Sequence, residues 1–339
     1  MSFQSITPSH IPVYYHANRL VRVNIALCGA TGFIGKNLLL ALSKLPGIHI
    51  NAFWHKTPPF ETPIPVNWIE CDFLNPSSFS GYFDDVDLVL QFAAVTSGAK
   101  DIVQSPHLHV TSNAIINSNI LHELSSSNNS PSKHLIFPSC SIVYPSSLAP
   151  AAENSVDYNL IHPVYFGAAH TKLYIEKQIE FFARNNCFSA TVIRHSNVYG
   201  PHDKFFSLQG HVLSSAFSKI LKSESTVEIW GDGSSLRDLI YIDDFIEVIK
   251  LFLNENRPSF GIFNCGSGNL VSIEHIYRSI AQVVNRSPSF LFNTTKPTFD
   301  FTVLLDCSKI KRSFGWEPSI SFEQGLRLTF DWLNSRYQF

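Results

Sequence analysis

The stretch VRVNIALCGATGFIGKNLLLALSKL (residues 21–45) decides the fold. Its first eight residues form an apolar, β-branched run of strand length, and residues 36–45 carry leucines at helical spacing. Between them Gly29, Gly32 and Gly35 mark a strand–turn–helix junction. Glycines at this spacing permit a tight turn and close backbone approach to a pyrophosphate, which rests on the helix N-terminus. A glycine triplet alone is a weak signal; the strand before it and the helix after it give it weight. The turn predicts a dinucleotide site built from Gly29, Thr31, Gly32, Phe33, Ile34 and Gly35.

Further apolar runs follow at residues 48–54, 66–72, 85–94, 133–139 and 189–196, with helix-length segments between several of them, notably 107–125 and 167–184. Strands alternating with helices predict an α/β fold, a Rossmann-type doubly wound parallel sheet with right-handed crossovers. The serine- and asparagine-rich run at 125–132 reads as a loop, and residues 1–20 as a polar, proline-containing N-terminal extension.

The chain has 339 residues, of which 45% are apolar and 15% charged, a balance that suits a well-buried globular enzyme. A net charge of −2 gives no electrostatic case for a nucleic acid or a membrane surface as partner. Six cysteines are scattered without a CxxC pair or a Cys/His cluster at zinc spacing, which predicts a reduced chain without structural metal. The first twenty residues lack a cationic start followed by a long apolar run, and no window is apolar enough to span a bilayer. A soluble, cytoplasmic protein is the expectation.

At the end of the second strand, where an acid would hold a ribose 2′-hydroxyl, the sequence reads FWHK (53–56). His55 and Lys56 would face a 2′-phosphate, which favours NADP(H) over NAD(H). Asp72, followed by Phe73, ends the third strand and is the candidate for the adenine amino group.

Six further segments appear in order: FAAVTSG with Ala93 and Ala94, NAIINSNIL with Asn113 and Asn119, RHSNVYGP (194–201), WGDGSSLRDLIYIDD (230–244), FNCGSGNLVSI (263–273) and LLDCSKIKRSFGWEP (304–318). With the glycine turn, they make residues 21–335 resemble the extended short-chain dehydrogenase/reductases, in particular the nucleotide-sugar epimerase/dehydratase group. The resemblance implies a Rossmann domain over residues 21–196 plus 239–263, and a smaller α/β nucleotide-sugar domain over 197–238 plus 264–339. It implies Asn113, Lys172 and His195 as further cofactor contacts, and Ser141, Asn197, Trp230 and Arg237 on the sugar nucleotide. The helices at 107–125 and 167–184 would form a homodimer interface. NVYGPHDKFFSLQGHVLSSAFSKI (197–220) is similar to the GDP-fucose synthase-like 4-keto sugar reductases. That likeness makes His211 an acid–base group, followed by Val212, and places Lys219 near the nucleotide phosphates.

Reduction of a sugar ketone needs a hydride from the nicotinamide and a proton for the developing alkoxide. The resembled family takes that proton from a tyrosine four residues before a lysine, one helical turn away, beside a serine or threonine hydroxyl. The lysine is present as Lys172, but the tyrosine position is Ala168 and the hydroxyl position is Cys140. A thiol is a weak donor. Tyr165 lies seven residues before Lys172, ~10 Å by helical rise, and could stand in only through a local irregularity. The family's second epimerisation base falls on Ile142. Three readings follow. The first is a nucleotide-sugar enzyme carrying a Tyr→Ala replacement, engineered or otherwise. The second is a natural enzyme that uses Cys140, His211 or Tyr165 instead. The third is a nucleotide-binding protein without turnover. The expected reaction is NAD(P)H-dependent reduction of the 4-keto group of an NDP-6-deoxyhexose, with a GDP-linked sugar as one candidate, in deoxysugar or surface-polysaccharide biosynthesis. The alternative is 4-epimerisation with tightly bound NAD.

Overall fold

Seven parallel strands form the central sheet: β1 (Val23–Cys28), β2 (Ile48–Trp54), β3 (Asn67–Glu70), β4 (Leu88–Gln91), β5 (His134–Cys140), β6 (Ser189–His195) and β7 (Phe260–Cys265). Their order is β7-β6-β5-β4-β1-β2-β3, so the winding reverses between β1 and β4. That reversal opens the crevice in which doubly wound sheets bind nucleotides. The structure is a computed structural model that describes residues 22–96, 107–207, 210–253, 257–296, 298 and 300–339, and the backbone of 15–16 and 19–20. Most of the N-terminal extension lies outside the described residues; Tyr15–His16 pairs antiparallel with Arg19–Leu20.

Alternation along β1 explains why the sheet is covered on both faces. Ile25 and Leu27 join a core with Leu38, Leu39 and Leu42 of α1 (Phe33–Leu42), whereas Ala26 and Cys28 point to the opposite core. There they meet Ile116 and Ile120 of α2 (His107–Ser126) and Ile175 and Ile179 of α3 (Phe166–Arg184). Strands buried on both sides read as continuous apolar runs, which is how they show in the sequence. The 125–132 segment is partly ordered: α2 continues to Ser126, and after left-handed Asn129 a single 3₁₀ turn covers Ser130–Ser132.

At the end of β6 the chain steps into a second, three-stranded sheet. Asn197–Tyr199 runs parallel to Leu236–Tyr241, which pairs antiparallel with Leu270–Ser272. α4 (Val212–Lys222) and the strand Thr226–Trp230 lie between the first two in sequence, and α5 (Ile242–Leu251) then returns to pack on α1. Phe245 of α5 meets Phe92 and His195 edge-on, at 6.2 and 5.2 Å between ring centroids. The seam between the two sheets thus falls at residues 195–197, beside the C-terminal ends of the main strands.

Candidate active site

The glycine turn is shaped by close approach. Gly29 is left-handed (φ 77°), and a Cβ there would lie 2.7 Å from the Ala93 nitrogen and the Phe92 oxygen. A Cβ on Gly35 would lie 2.1 Å from the Gly29 oxygen, so α1 can start this close to β1 only with glycine at that position. Gly32, the N-cap of α1, is exposed; a Cβ there would meet only the Gly29 oxygen, at 3.3 Å, and no side chain caps the helix. The first-turn amides are therefore open to an anion, and the cradle fits a dinucleotide pyrophosphate. Thr31, Phe33 and Ile34 are half-buried, the last two against the core.

Amides from α2 fix the loop after β4. Asn113 Oδ1 accepts from Val95 N–H at 2.8 Å while its Nδ2 donates to Val95 O at 3.0 Å. Gln91 Nε2 donates to Ala93 O and to Asn117 Oδ1, both at 3.0 Å, and Gln91 Oε1 accepts from Ala93 N–H at 3.2 Å. Gln91 and Asn117 are absent from the sequence reading, although Asn117 lies four residues beyond Asn113 and so on its face of the helix. Ala94 is exposed beside this loop. At the ribose end His55 and Lys56 are exposed, and His55 Nε2 comes within 4.0 Å of Asp72. The ring of Phe73 turns inward against Phe53 and Phe79, and its carbonyl accepts from Asn119 at 2.9 Å.

Lys172 reaches the end of β5 from α3. Its Nζ donates to Pro138 O at 2.6 Å and sits 4.7 Å above the Phe137 ring. Burial pulls the ammonium pKa down, against the opposing pull of Cys140 and Glu176. Burial pushes the Cys140 thiol up, and Lys172 pulls it back. The two groups are thus within electrostatic range of one another. Ser139 is fully buried and its hydroxyl has no partner among the described residues, and Ser141 is buried in a single 3₁₀ turn.

The start of α3 shows the irregularity that the helical-rise estimate leaves out. Pro163–Tyr165 is a 3₁₀ turn, the α-helix starts at Phe166, and Tyr165 is its N-cap (φ −101°, ψ 5°). Tyr165 therefore does not share the face of Lys172. Its ring packs on Phe301 at 4.9 Å, and Phe301 O accepts from Arg237 Nη1 at 3.0 Å. Burial raises the Tyr165 phenol pKa, Arg237 lowers it, and Cys140 raises it again. Ala168 lies half-buried in the first turn of α3.

Across the seam, His211 is the N-cap residue of α4, but its ring does not cap the helix. Nδ1 points to Asp203 Oδ1 at 3.2 Å instead, with the imidazole half exposed and the carboxylate buried. Nothing in the sequence reading singled out Asp203; the only signal was its position eight residues before His211. His195 hydrogen-bonds Ser196 O through Nδ1 at 2.7 Å. Burial, with Lys172 and His211 adding to it, lowers its pKa to about 4. His195 on β6 is thus within electrostatic range of Lys172 on α3 and of His211 at the start of α4. Asn197 Nδ2 donates to Asp238 O at 3.0 Å, and Val212 packs on the core.

Lys219 and Trp230 meet at a second place. Lys219 Nζ donates to Glu228 O at 2.9 Å and lies 5.4 Å from the Trp230 ring, with Lys296 at 5.9 Å from the same ring. Burial lowers the Lys219 pKa, and Glu228 opposes it. A cavity of about 690 Å³ begins one residue from Arg237, lined by hydroxyls that include Ser234, Ser235, Thr298 and Thr302, with Asp232 and Asp300. No cluster of three metal-ligating side chains occurs among the described residues, and none of their helices is long and apolar enough to cross a membrane.

A parallel sheet that reverses at an open glycine turn defines a Rossmann-type dinucleotide-binding protein, here with a histidine and a lysine facing its strand ends. The chain belongs to the NAD-dependent epimerase/dehydratase family, whose profile matches residues 25–266, more than half of its length. Among curated relatives it is 27% identical to the GDP-L-fucose synthase of Escherichia coli K12, over 78% of this chain and 85% of that one. It is 24% identical to the GDP-L-colitose synthase of Yersinia pseudotuberculosis, over 91% and 96%. A rice protein named probable GDP-L-fucose synthase 1 matches at 28% identity, over 59% of this chain and 62% of that one, under two thirds of the relative's length. Among solved structures, the UDP-glucose 4-epimerase of Thermotoga maritima with UDP-glucose superposes with a TM-score of 0.78 at 24% identity, covering 93% and 99%. An epimerase of Methanothermobacter thermautotrophicus superposes with a TM-score of 0.81 at 20% identity, covering 94% of each chain.

Proposed function

We propose that this chain is a nucleotide-sugar oxidoreductase that reduces the 4-keto group of an NDP-6-deoxyhexose with NADP(H). One observation supports the reading: Lys172 is anchored on Pro138 O at the end of β5, within electrostatic range of Cys140 and His195, and His195 is in range of His211. The names of the curated relatives, fucose and colitose synthases on GDP, support the GDP-linked sugar.

The turn at Gly29–Gly35 would hold the pyrophosphate, and Lys56 would meet a 2′-phosphate, since Asp72 offsets His55. Bound there, the nicotinamide would exchange a hydride with the sugar carbon. Lys172 holds the nicotinamide ribose, with its ammonium anchored on Pro138 O. Arg237, steadied by Leu236 O and Phe301 O, faces the diphosphate or sugar as a fixed cation. With alanine at 168, the proton for the alkoxide comes from Tyr165, whose phenol is in range of both Arg237 and Cys140. His211 exchanges a proton at a carbon beside the ketone. In this reading residues 21–196 plus 239–263 bind the dinucleotide, and 197–238 plus 264–339 bind the sugar nucleotide.

The test is to incubate the protein with GDP-, UDP-, CDP- and dTDP-linked 4-keto-6-deoxyhexoses and either reduced dinucleotide. Stoichiometric NADPH oxidation with one of them is the expected result. Redox-neutral interconversion of 4-epimers would replace reduction by epimerisation, and binding without any turnover would leave a dead enzyme. Phe166, Tyr174 and Phe181 on α3, with Ile115 on α2, are exposed apolar groups on the helices expected to pair with a second copy. Sedimentation should give twice the chain mass, and a monomer at high concentration would rule that pairing out.

A further inference from the structure

We propose that Asp203 is the positioning residue of His211: it takes the Nδ1–H of the ring and leaves Nε2 as the nitrogen that exchanges a proton with the substrate. The inference rests on the reading of His211 as an acid–base group and adds to it what holds the ring. A carboxylate only accepts, so the 3.2 Å contact between Nδ1 and Asp203 Oδ1 requires the proton on Nδ1. Among the described residues no partner contacts Nε2. The tautomer of a histidine follows the hydrogen bond made by its other nitrogen, so a buried acceptor at Nδ1 sets which nitrogen can act as base.

The carboxylate is itself held in place. Its side chain is 1% exposed, and the same oxygen accepts from Lys204 N–H at 2.7 Å. The loop that carries it is tied to three elements. Asn37 of α1 donates to Pro201 O at 2.8 Å, Ser218 of α4 accepts from Phe206 N–H at 2.7 Å, and Lys204 Nζ donates to Thr96 Oγ1 at 3.0 Å, beyond β4. His202 and Phe206, on either side of Asp203, are left-handed (φ 67° and 59°). Backbone in that region is strained for a residue with a side chain and persists where the surroundings over-determine it. Gly210 closes the other side, since a Cβ there would lie 2.9 Å from Lys204 O. A solvated surface histidine would need none of this; an acid–base group held within fractions of an ångström would.

Neutral Nε2 takes the proton from the carbon beside the ketone, and the C–H electron pair moves into the enolate. The imidazolium then lies against the Asp203 carboxylate, and the same Nε2–H returns a proton to the carbon. Charged or titratable groups near the ring are Asp203 and Lys204 on the loop, His195 on β6 and Lys172 beyond it.

Two measurements test this. Nitrogen-15 spectra of the imidazoles should show neutral His211 as the Nδ1–H tautomer in the unmodified protein and as the Nε2–H tautomer in Asp203→Ala. The same tautomer in both, with a native circular dichroism spectrum, would overturn the proposal. Solvent-deuterium incorporation beside the ketone should fall roughly 10- to 100-fold in Asp203→Ala at unchanged KM. It should fall no further in Asp203→Ala/His211→Asn than in His211→Asn alone, and losses that add would assign Asp203 a purely structural role. Asp203→Asn, nearly isosteric, covers the case in which the alanine variant does not fold: it should keep the tautomer and lose part of the exchange. The tautomer arm needs no turnover, so an inactive protein would sink the proposed function without deciding the role of Asp203.

Discussion

Two charged residues one turn apart on α3 meet opposite fates. Glu176 is 3% exposed, and its two oxygens accept from Arg194 Nε and Nη2 at 3.1 and 2.6 Å. Arg194 Nη1 continues to the Tyr144 hydroxyl and Glu153 O, Tyr144 donates to Asn264, and Asn264 Nδ2 donates to Ala151 O and Asp306 O. Every polar group in that chain has a partner within the protein. Lys172 has one carbonyl and one ring face among the described residues. A buried charge is tolerated when its neighbours satisfy it, and one left under-paired is available to a ligand. The contrast separates what holds this fold from what serves the site.

The sharpest way to test the contrast is to refill the position beside Lys172. Ala168→Tyr should raise ketone reduction about 10²- to 10⁴-fold, the usual scale of a well-placed proton donor. Tyr165 is the weaker donor in this account because burial raises its pKa more than Arg237 lowers it. The variant is assayed by NADPH oxidation. No gain, with dinucleotide and sugar nucleotide still bound, would show that an empty tyrosine slot does not limit the rate.

Removing each charge in turn should then give unequal losses. Glu176→Ala leaves Arg194 buried without its carboxylate and should cost about 3–5 kcal/mol in denaturant unfolding. Lys172→Met removes a desolvated ammonium and keeps the stem over Phe137, so stability should change by less than about 1 kcal/mol while reduction is lost. Equal destabilisation by the two substitutions would break the comparison.

The fold was legible because its signals are local. Buried parallel strands are apolar runs, and the spacing of Gly29, Gly32 and Gly35 states the turn within seven residues. Lys172, Cys140 and His211 were legible as positions in motifs. Their supports were not, because no motif states them: Lys172 finds Pro138 O across 34 residues, and the loop that holds Asp203 is tied through Lys204 to Thr96 across 108. Tyr165 was set aside by a rise calculation that assumes α-helix back to residue 165. The 3₁₀ turn at 163–165 removes that assumption, and the phenol lies within electrostatic range of Arg237 and Cys140.

The smallest expected effect extends the same contrast to two histidines. His134, at the start of β5, lies fully buried between Ser189 Oγ and Thr191 Oγ1 at 2.7 and 3.0 Å. His195 ends β6 beside the site. Burial lowers both pKa values, to about 3 and about 4 respectively. In the unfolded chain each returns to about 6.5. Below that pH the unfolded state binds protons that the folded state refuses, so stability falls as the pH drops. The loss grows from about pH 6.5 down to the folded values, at up to about 1.4 kcal/mol per pH unit for each ring. Asp238 and Asp243, raised by burial, act in the opposite sense, so in the window from pH 6.5 to 5 the histidine contribution is read as the difference from variants that lack the rings. Urea unfolding across that window should show the decline, and His195→Asn should remove about half of it. Since His195 is also in range of Lys172 and His211, bound dinucleotide should alter its titration and leave that of His134 unchanged. Equal shifts at both rings would mean that the site and the scaffold are not separated in the way α3 separates them.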